Sequence, residues 1–352
     1  MKNFVEQSHD LPSISVLMPT LNAERHLDRC LSSIRGQNYP RWKVEIVVSD
    51  GGSEDRTLAI CNKFRARAYH NPLKTAEAGK AVALQHAKND LVALIDSDNI
   101  LPDKNWFRRM VEPFLNEEVV GSEPWEYVYR AKDGFIDRYC AMLGMNDPLC
   151  YFLGNYDRQC LLSKKWTNLK IKSLDKGNWL KMSLTPPAIP TIGANGTIFR
   201  RKFLSESGLI GKYLFDIDVL AALAERKPVS FAKVKTGIVH LYCGSDIKKF
   251  IRKQTRRIKD FLYYQKIGAR RYPWGKQNKV GIVKFVLSCV TILPLVFQAI
   301  KGYLRKKDRA WFFHPLACWL TLFIYSIEKI KNGLKNILKI GSFQMNREKW
   351  SQ

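Results

Sequence analysis

Three short apolar runs in the first hundred residues, SISVLMPT (13–20), VEIVVSD (44–50) and LVALIDSD (91–98), are rich in β-branched and aliphatic side chains and end in turn-forming or acidic residues. Polar stretches of helical period separate them. That pattern predicts parallel strands joined by helices in an open α/β sheet. All three strands end in polar groups. Asn22 and Glu24 follow the first as N-cap types, Asp50-Gly51-Gly52-Ser53 follows the second, and Asp96-Ser97-Asp98-Asn99 follows the third. Open sheets bind ligands in the crevice beyond the carboxyl ends of their strands, so this convergence predicts a site there.

Strand side chains alternate faces, so Asp96 and Asp98 point the same way. Two carboxylates on one face repel each other or hold a cation. Hard oxygen ligands suit Mg2+ or Mn2+, which bind nucleotides by bridging protein carboxylates to a diphosphate. The plain alternative is a helix N-cap for the segment beginning near Pro102. Gly51-Gly52 permits positive φ and close backbone approach to a ligand. No G-x-G-x-x-G occurs, which argues against a dinucleotide cofactor.

PTLNAE (19–24), VSDGGSEDRT (48–57), AGKAVALQHAKNDLVALIDSDNIL (78–101) and GANGTIFRRK (193–202), in that order, resemble the family 2 glycosyltransferases of GT-A fold. The first three are jointly specific. The resemblance implies an α/β GT-A domain, Rossmann-like with a mixed, mostly parallel sheet, that binds a nucleotide-sugar donor. Pro19, Thr20, Asn22 and Glu24 would form the loop around base and ribose, and Asp50, beside Gly51, would meet the base. Asp96, Ser97 and Asp98 correspond to the family's DxD motif, Asp98 being the more direct metal ligand and Asp96 reaching ribose or a metal-bound water. Lys80 would meet the diphosphate or sugar, or be a solvated helical lysine. Asn195 and Gly196 would line the acceptor side.

Inverting members need a base for the acceptor hydroxyl, and the corresponding stretch LFDIDVLAAL offers Asp216 and Asp218. Phe215 replaces the glutamate of the family's usual Glu-Asp pair, and Asp216 is the favoured candidate. Both acids also suit a helix N-terminus. His240, closing the run GIVH, is a third possible metal ligand or a structural histidine. The segment KKFIRKQTRRIKDF predicts an amphipathic cationic helix with Phe250, Ile251, Ile258, Phe261 and Leu262 on its apolar face. Its Gln254, Arg256 and Arg257 faintly resemble the QxxRW motif, with Ile258 in place of tryptophan, which weakens any reading of polymer synthesis. These arginines suit a diphosphate or an acceptor lipid phosphate, and the helix equally suits a membrane surface.

Charge separates the chain into contrasting parts. Residues 1–120 hold 16 Lys and Arg against 16 Asp and Glu, whereas residues 231–352 hold 26 against 5, nearly the whole net charge of +26. The same third carries VGIVKFVLSCVTILPLVFQAI (280–300) and WFFHPLACWLTLFIYSI (311–327) around a basic linker. Apolar runs between basic flanks favour acidic lipid over nucleic acid as the anionic partner. The first run is long enough to span but contains Lys284 and Pro294; the second is marginal. A cytoplasmic catalytic domain and a cytoplasmic basic linker are both accommodated by a re-entrant or interfacial helical pair, extended by the basic stretch 331–340. Buried helices in an oligomer interface are the soluble alternative.

The expected organisation is a catalytic domain over 1–240, a basic amphipathic helix region over 241–275 and a membrane-associating helical region over 276–352. The start MKNFVEQSHDLPS lacks an apolar h-region, arguing against a cleaved signal peptide. Eight cysteines without metal-ligand spacing suggest reduced, mostly buried thiols. Residues 121–190 are aromatic and irregular, with Trp125, Trp166 and Trp179 as acceptor-platform candidates or core. The expectation is a metal-dependent, inverting, membrane-associated glycosyltransferase acting on a lipid-linked saccharide or polyprenyl phosphate. A nucleotidyltransferase of similar fold and a non-catalytic nucleotide-sugar-binding relative are the alternatives.

Overall fold

The computed structural model describes residues 11–206, 211, 213–268, 270, 272 and 278–337, with backbone alone for 335–337. The chain start through Asp10 and the part of the basic stretch beyond residue 337 therefore lie outside the described residues. In order, the elements are β1 (Ile14–Thr20), α1 (Glu24–Arg35), β2 (Val44–Asp50), α2 (Thr57–Lys63), β3 (Arg67–His70), α3 (Ala76–Gln85), β4 (Leu91–Ile95), β5 (Asn99–Ile100), α4 (Trp106–Val111) and β6 (Gly121–Tyr127). They continue with α5 (Phe135–Leu143), α6 (Leu149–Leu153), β7 (Lys172–Asp175), β8 (Trp179–Leu184), β9 (Asn195–Arg200), α7 (Arg201–Glu206), α8 (Asp216–Arg226) and β10 (Val229–His240). The last are α9 (Ile247–Lys266), α10 (Lys279–Thr291), α11 (Leu293–Arg305) and α12 (His314–Ile337). These elements divide into two compact units, one of the described residues up to Val128 with Lys170–His240, the other of Tyr129–Leu169 with the described residues from Leu241 to 337.

In the first unit the strands form one sheet ordered β3-β2-β1-β4-β9-β6-β10-β8-β7, with β5 paired to β10. The β3-β2-β1-β4 half is wholly parallel, as the apolar runs predict, and the rest is mixed. β1 and β4 are buried almost end to end, which a parallel sheet covered on both faces requires. α1 packs Leu27, Cys30, Leu31 and Ile34 inward, an i, i+3, i+4, i+7 stripe. α3 lies so close to the sheet that a Cβ on Gly79 would come within 2.7 Å of Ser49 Oγ and 2.8 Å of the Pro19 ring. Gly79→Ala should therefore destabilise by about 1–3 kcal/mol through overpacking. Chemical denaturation checks this; an unchanged midpoint would mean the helix can lift off without cost.

Deep in this sheet Lys233 of β10 and Glu123 of β6 face each other in register and pair at 3.0 Å with both side chains fully buried. β10 is irregular between Val234 and Gly237 and then continues to His240. Trp106, fully buried, donates its indole N–H to the Gly237 carbonyl at 2.8 Å, tying α4 to that irregularity.

The second unit is helical. Ile136, Tyr139, Phe250, Trp311 and Phe313 form its main core. α9 is amphipathic, but its inward face is Phe250, Gln254, Ile258 and Tyr264; Ile251, Phe261 and Leu262 are only partly buried, which narrows the predicted apolar stripe. The two tail runs differ from their apparent lengths. The first, long enough on paper to span, breaks at Ile292 (φ 61°) ahead of Pro294 into α10 and α11, bent by 93°. The second, which looked marginal, extends to a 24-residue helix, and Arg309–Leu334 is long and apolar enough to cross a membrane. Among the described residues all eight cysteines are free and, except for half-buried Cys150, buried.

Candidate active site

The strand order reverses about β1, between β2 and β4, and the polar residues read from the sequence gather at the carboxyl ends of these strands. The β1–α1 and β2–α2 loops are sewn together. Asn22, in the left-handed region at φ 49°, donates its N–H to Ser53 Oγ (2.8 Å) and accepts from Glu54 N (3.0 Å) through its side chain. The N–H groups of Ala23 and Glu24 donate to Thr57 Oγ1 and Asp55. The start of α1 is thus capped from the second loop; Ala23, not Asn22 or Glu24, stands at the N-cap, because Asn22 is spent on Glu54 and Glu24 reaches Arg56. Gly52, at φ 91°, makes the turn that Gly51 begins.

Asp50 is buried and its carboxylate accepts four hydrogen bonds, from Thr20 Oγ1 (2.8 Å), Gly52 N (2.9 Å), Ser53 N (2.7 Å) and Ser53 Oγ (2.6 Å). Those fill the lone-pair positions of a carboxylate. Asp50 therefore organises the turn in this state. Pro19 is partly buried beside α3, and Thr20 is buried.

The acid pair lies in the turn between β4 and β5, with Asp96, Ser97 and Asp98 all half-buried. It caps no helix: α4 begins at Trp106 behind Asn105. Asn99, buried, donates its N–H to the Asp96 carbonyl (2.9 Å) and accepts from Asp96 N (3.1 Å) through its side chain, closing the turn. β5 pairs antiparallel with β10, setting Asn99 opposite His240, whose Nε2 lies 3.6 Å from Asp98 Oδ1. Asn99 also bonds Asn195 Oδ1 (3.0 Å), and Asn195 donates to the Tyr127 hydroxyl (3.1 Å), whose ring packs 5.4 Å from the His240 ring. Asn99 and Tyr127 are site residues that sequence reasoning missed. Asn99 had a signal, since an asparagine after an acid pair suits an Asx turn; Tyr127 had none. Gly196 (φ 83°) meets a packing need, because a Cβ there would strike Ile238 at 2.7 Å.

Lys80 corrects an expectation. It is no solvated helical lysine: its ammonium is buried and pairs with Asp216 Oδ1 at 2.8 Å. Burial works to lower the Lys80 pKa, but Asp216 and then Glu77 more than offset it and hold it above the usual lysine value. Burial raises the Asp216 carboxyl, against the pull of Lys80. Asp216 is the first residue of α8 and Asp218, also buried, the third. Burial first and the Asp98 carboxylate second push the Asp96 carboxyl up to about 6, against Lys80 and His240. These charges thus share one neighbourhood.

Among the described residues no three His, Cys, Asp or Glu side chains close on a point tightly enough to hold an ion alone. Mg2+ and Mn2+ ask for less, since they are commonly held by one or two carboxylates with substrate phosphates and water completing the shell. Two mutually repelling carboxylates with an imidazole beside one of them fit such an ion.

Gln254, Arg256 and Arg257 belong to the second unit. Gln254 is buried, donates to the Asn146 carbonyl (2.8 Å) and accepts from Arg257 (2.7 Å) and the Tyr325 hydroxyl (3.2 Å); Arg256 is exposed. Trp125 is half-buried and Trp179 buried in the first unit, and Trp166 is half-buried in the second.

Residues 15–167 match the family described as Glycosyl transferase family 2. Glycosyltransferase AglE of Haloferax volcanii is 27% identical over 144 residues, 38% of this chain and 46% of that protein. A dolichyl N-acetyl-alpha-D-glucosaminyl phosphate 3-beta-D-2,3-diacetamido-2,3-dideoxy-beta-D-glucuronosyltransferase of Methanococcus voltae is 26% identical over 108 residues, 29% of this chain and 33% of that protein. The chain thus spans less than half the length of these relatives. The mannosyltransferase PcManGT from Pyrobaculum calidifontis, solved with GDP-Man and Mn2+, superposes with a TM-score of 0.51 at 16% identity, covering 93% of each chain. That likeness shows the mixed α/β GT-A fold.

Proposed function

We propose, from the match of residues 15–167 to glycosyl transferase family 2, that the chain moves a sugar from a nucleoside diphosphate donor to an acceptor hydroxyl or phosphate by single, inverting displacement. One observation carries the reading: Asp96, Asp98 and His240 lie close enough to the buried Lys80–Asp216 pair for their charges to act on one another. Pro19, Thr20, Asn22 and Glu24 hold base and ribose, with Asp50 keeping the loop shaped so that a base can take the place of the Ser53 hydroxyl. Asp96, Asp98 and His240 would hold Mg2+ or Mn2+, as the donor set allows. The bound ion would neutralise the diphosphate and ease its departure.

Asp216 removes the acceptor proton as the sugar transfers, and Lys80 counters the burial that would otherwise protonate it. Asn195 orients the acceptor side through Asn99 and Tyr127. The acceptor is lipid-linked or otherwise membrane-proximal and the catalytic unit cytoplasmic. The basic, apolar tail supports this, as does the dolichyl phosphate substrate in the name of the Methanococcus relative.

A screen of the full chain against UDP, GDP, dTDP and CMP sugars with Mn2+ or Mg2+ tests the reading. One donor should yield its nucleotide in a metal-dependent way, and a chelator should stop the release. Pyrophosphate as product would indicate nucleotidyl transfer instead, and binding without turnover in the presence of a panel of lipid acceptors would point to a non-catalytic relative.

A further inference from the structure

α10 and α11 are apolar on two sides. Their inward residues, Phe285 and Cys289 on α10 and Leu295 and Ala299 on α11, are buried. A second stripe at helical spacing faces out: Val283, Leu287 and Val290 on α10, then Leu293, Phe297 and Leu304 on α11, each 56–71% exposed, with Ile292 half exposed at the corner between them. A helix that is apolar on its outer face as well as its inner one is built for a surrounding that is not water. Lys284 and Thr291 sit about a quarter-turn from the outer stripe, where a lysine can reach back to an interface.

Length decides what kind of insertion this is. Each 13-residue arm is roughly 20 Å long, short of the ~30 Å hydrocarbon core, and the arms turn through 93° instead of continuing. α12 is long enough to cross, but 44% of its apolar window is covered by protein. At Tyr325 it is ringed by charge and polarity, with Asp147 at 2.6 Å, Gln254 at 3.2 Å and Arg257 3.9 Å from Asp147. Carrying that cluster to mid-bilayer is disfavoured. Exposed Lys301, Arg305, Lys307 and Arg309 follow the corner. Beside them a cleft of about 370 Å³ is lined by Phe135, Phe312 and Leu316 with Arg309 at its wall, while Arg138, also lining it, is held by Asp308 at 2.7 Å.

We infer that the second unit is a monotopic anchor that sinks the α10–α11 corner into one leaflet of an anionic bilayer, with the basic residues after the corner on its phosphates. This deepens the membrane-proximal reading above, and its test reads no transfer, so either can fail alone. The full chain is floated with phosphatidylcholine vesicles and with vesicles containing phosphatidylglycerol. Binding should favour the anionic vesicles and weaken in high salt. Val290→Asp with Leu293→Asp should lower the bound fraction at least tenfold with an unchanged thermal melt, since both positions are on the surface. Lys307→Cys, in vesicles loaded from outside, should remain open to an impermeant maleimide. The inference is overturned by wild-type flotation of the double variant, or by protection of Cys at 307, which would mean a span. It is equally overturned if the lipid-free chain is a dimer that the same double variant separates.

Discussion

Asp98→Asn is expected to leave the first unit folded and to cut metal-dependent transfer at least about 100-fold. The residue sits on a half-buried turn outside the sheet core, and asparagine keeps its size and shape. An amide in place of the carboxylate removes one of the two charges available to an ion, and even the outer partners of metal ligands are worth about 10–100-fold. The substitution also takes away the like charge that lifts the Asp96 carboxyl. Nucleotide release across a Mn2+ titration, with a melting curve on the same sample, checks both halves. Wild-type turnover throughout the titration would remove Asp98 from the metal site.

Asp216→Asn is expected to lose two things at once. In the proposed role of Asp216 as general base, its loss lowers transfer by about 10²- to 10⁴-fold. Lys80, buried on the same contact, keeps its charge and loses its counter-charge, which costs about 3–5 kcal/mol of stability. Lost activity alone therefore does not separate chemistry from folding. A second variant does: Lys80→Met with Asp216→Leu removes both charges, and apolar replacement of a buried pair is often neutral or stabilising. Its melting temperature should return toward that of the wild type while transfer stays down. If transfer returns as well, the pair is structural and the base lies elsewhere, with Asp218 next to test.

The strand ends of β1, β2 and β4 are legible in the chain because each is a local pattern, an apolar run stopped by turn residues. Lys80 and Asp216 are not, being 136 residues apart, with no periodicity to mark the partner. The same holds for Tyr127, brought to His240 only by the order of strands. Asn22 shows the limit from the other side. It is the right residue type at the right place for a cap, but a loop 32 residues on offered it a better partner. In the tail, counting apolar residues favoured the first run. Pro294 was the visible warning, and the chain bends just before it.

The buried Lys233–Glu123 pair bears on where His240 comes to rest. A shift of one residue between β6 and β10 would turn these two side chains to opposite faces of the sheet and strand two charges where no water reaches. Alternative alignments of the strand are penalised well before its last turn is laid down. The pair thus acts as a ratchet tooth seven positions upstream of the imidazole, so a substitution at 123 or 233 should be felt as a displaced His240 and not only as a softer sheet.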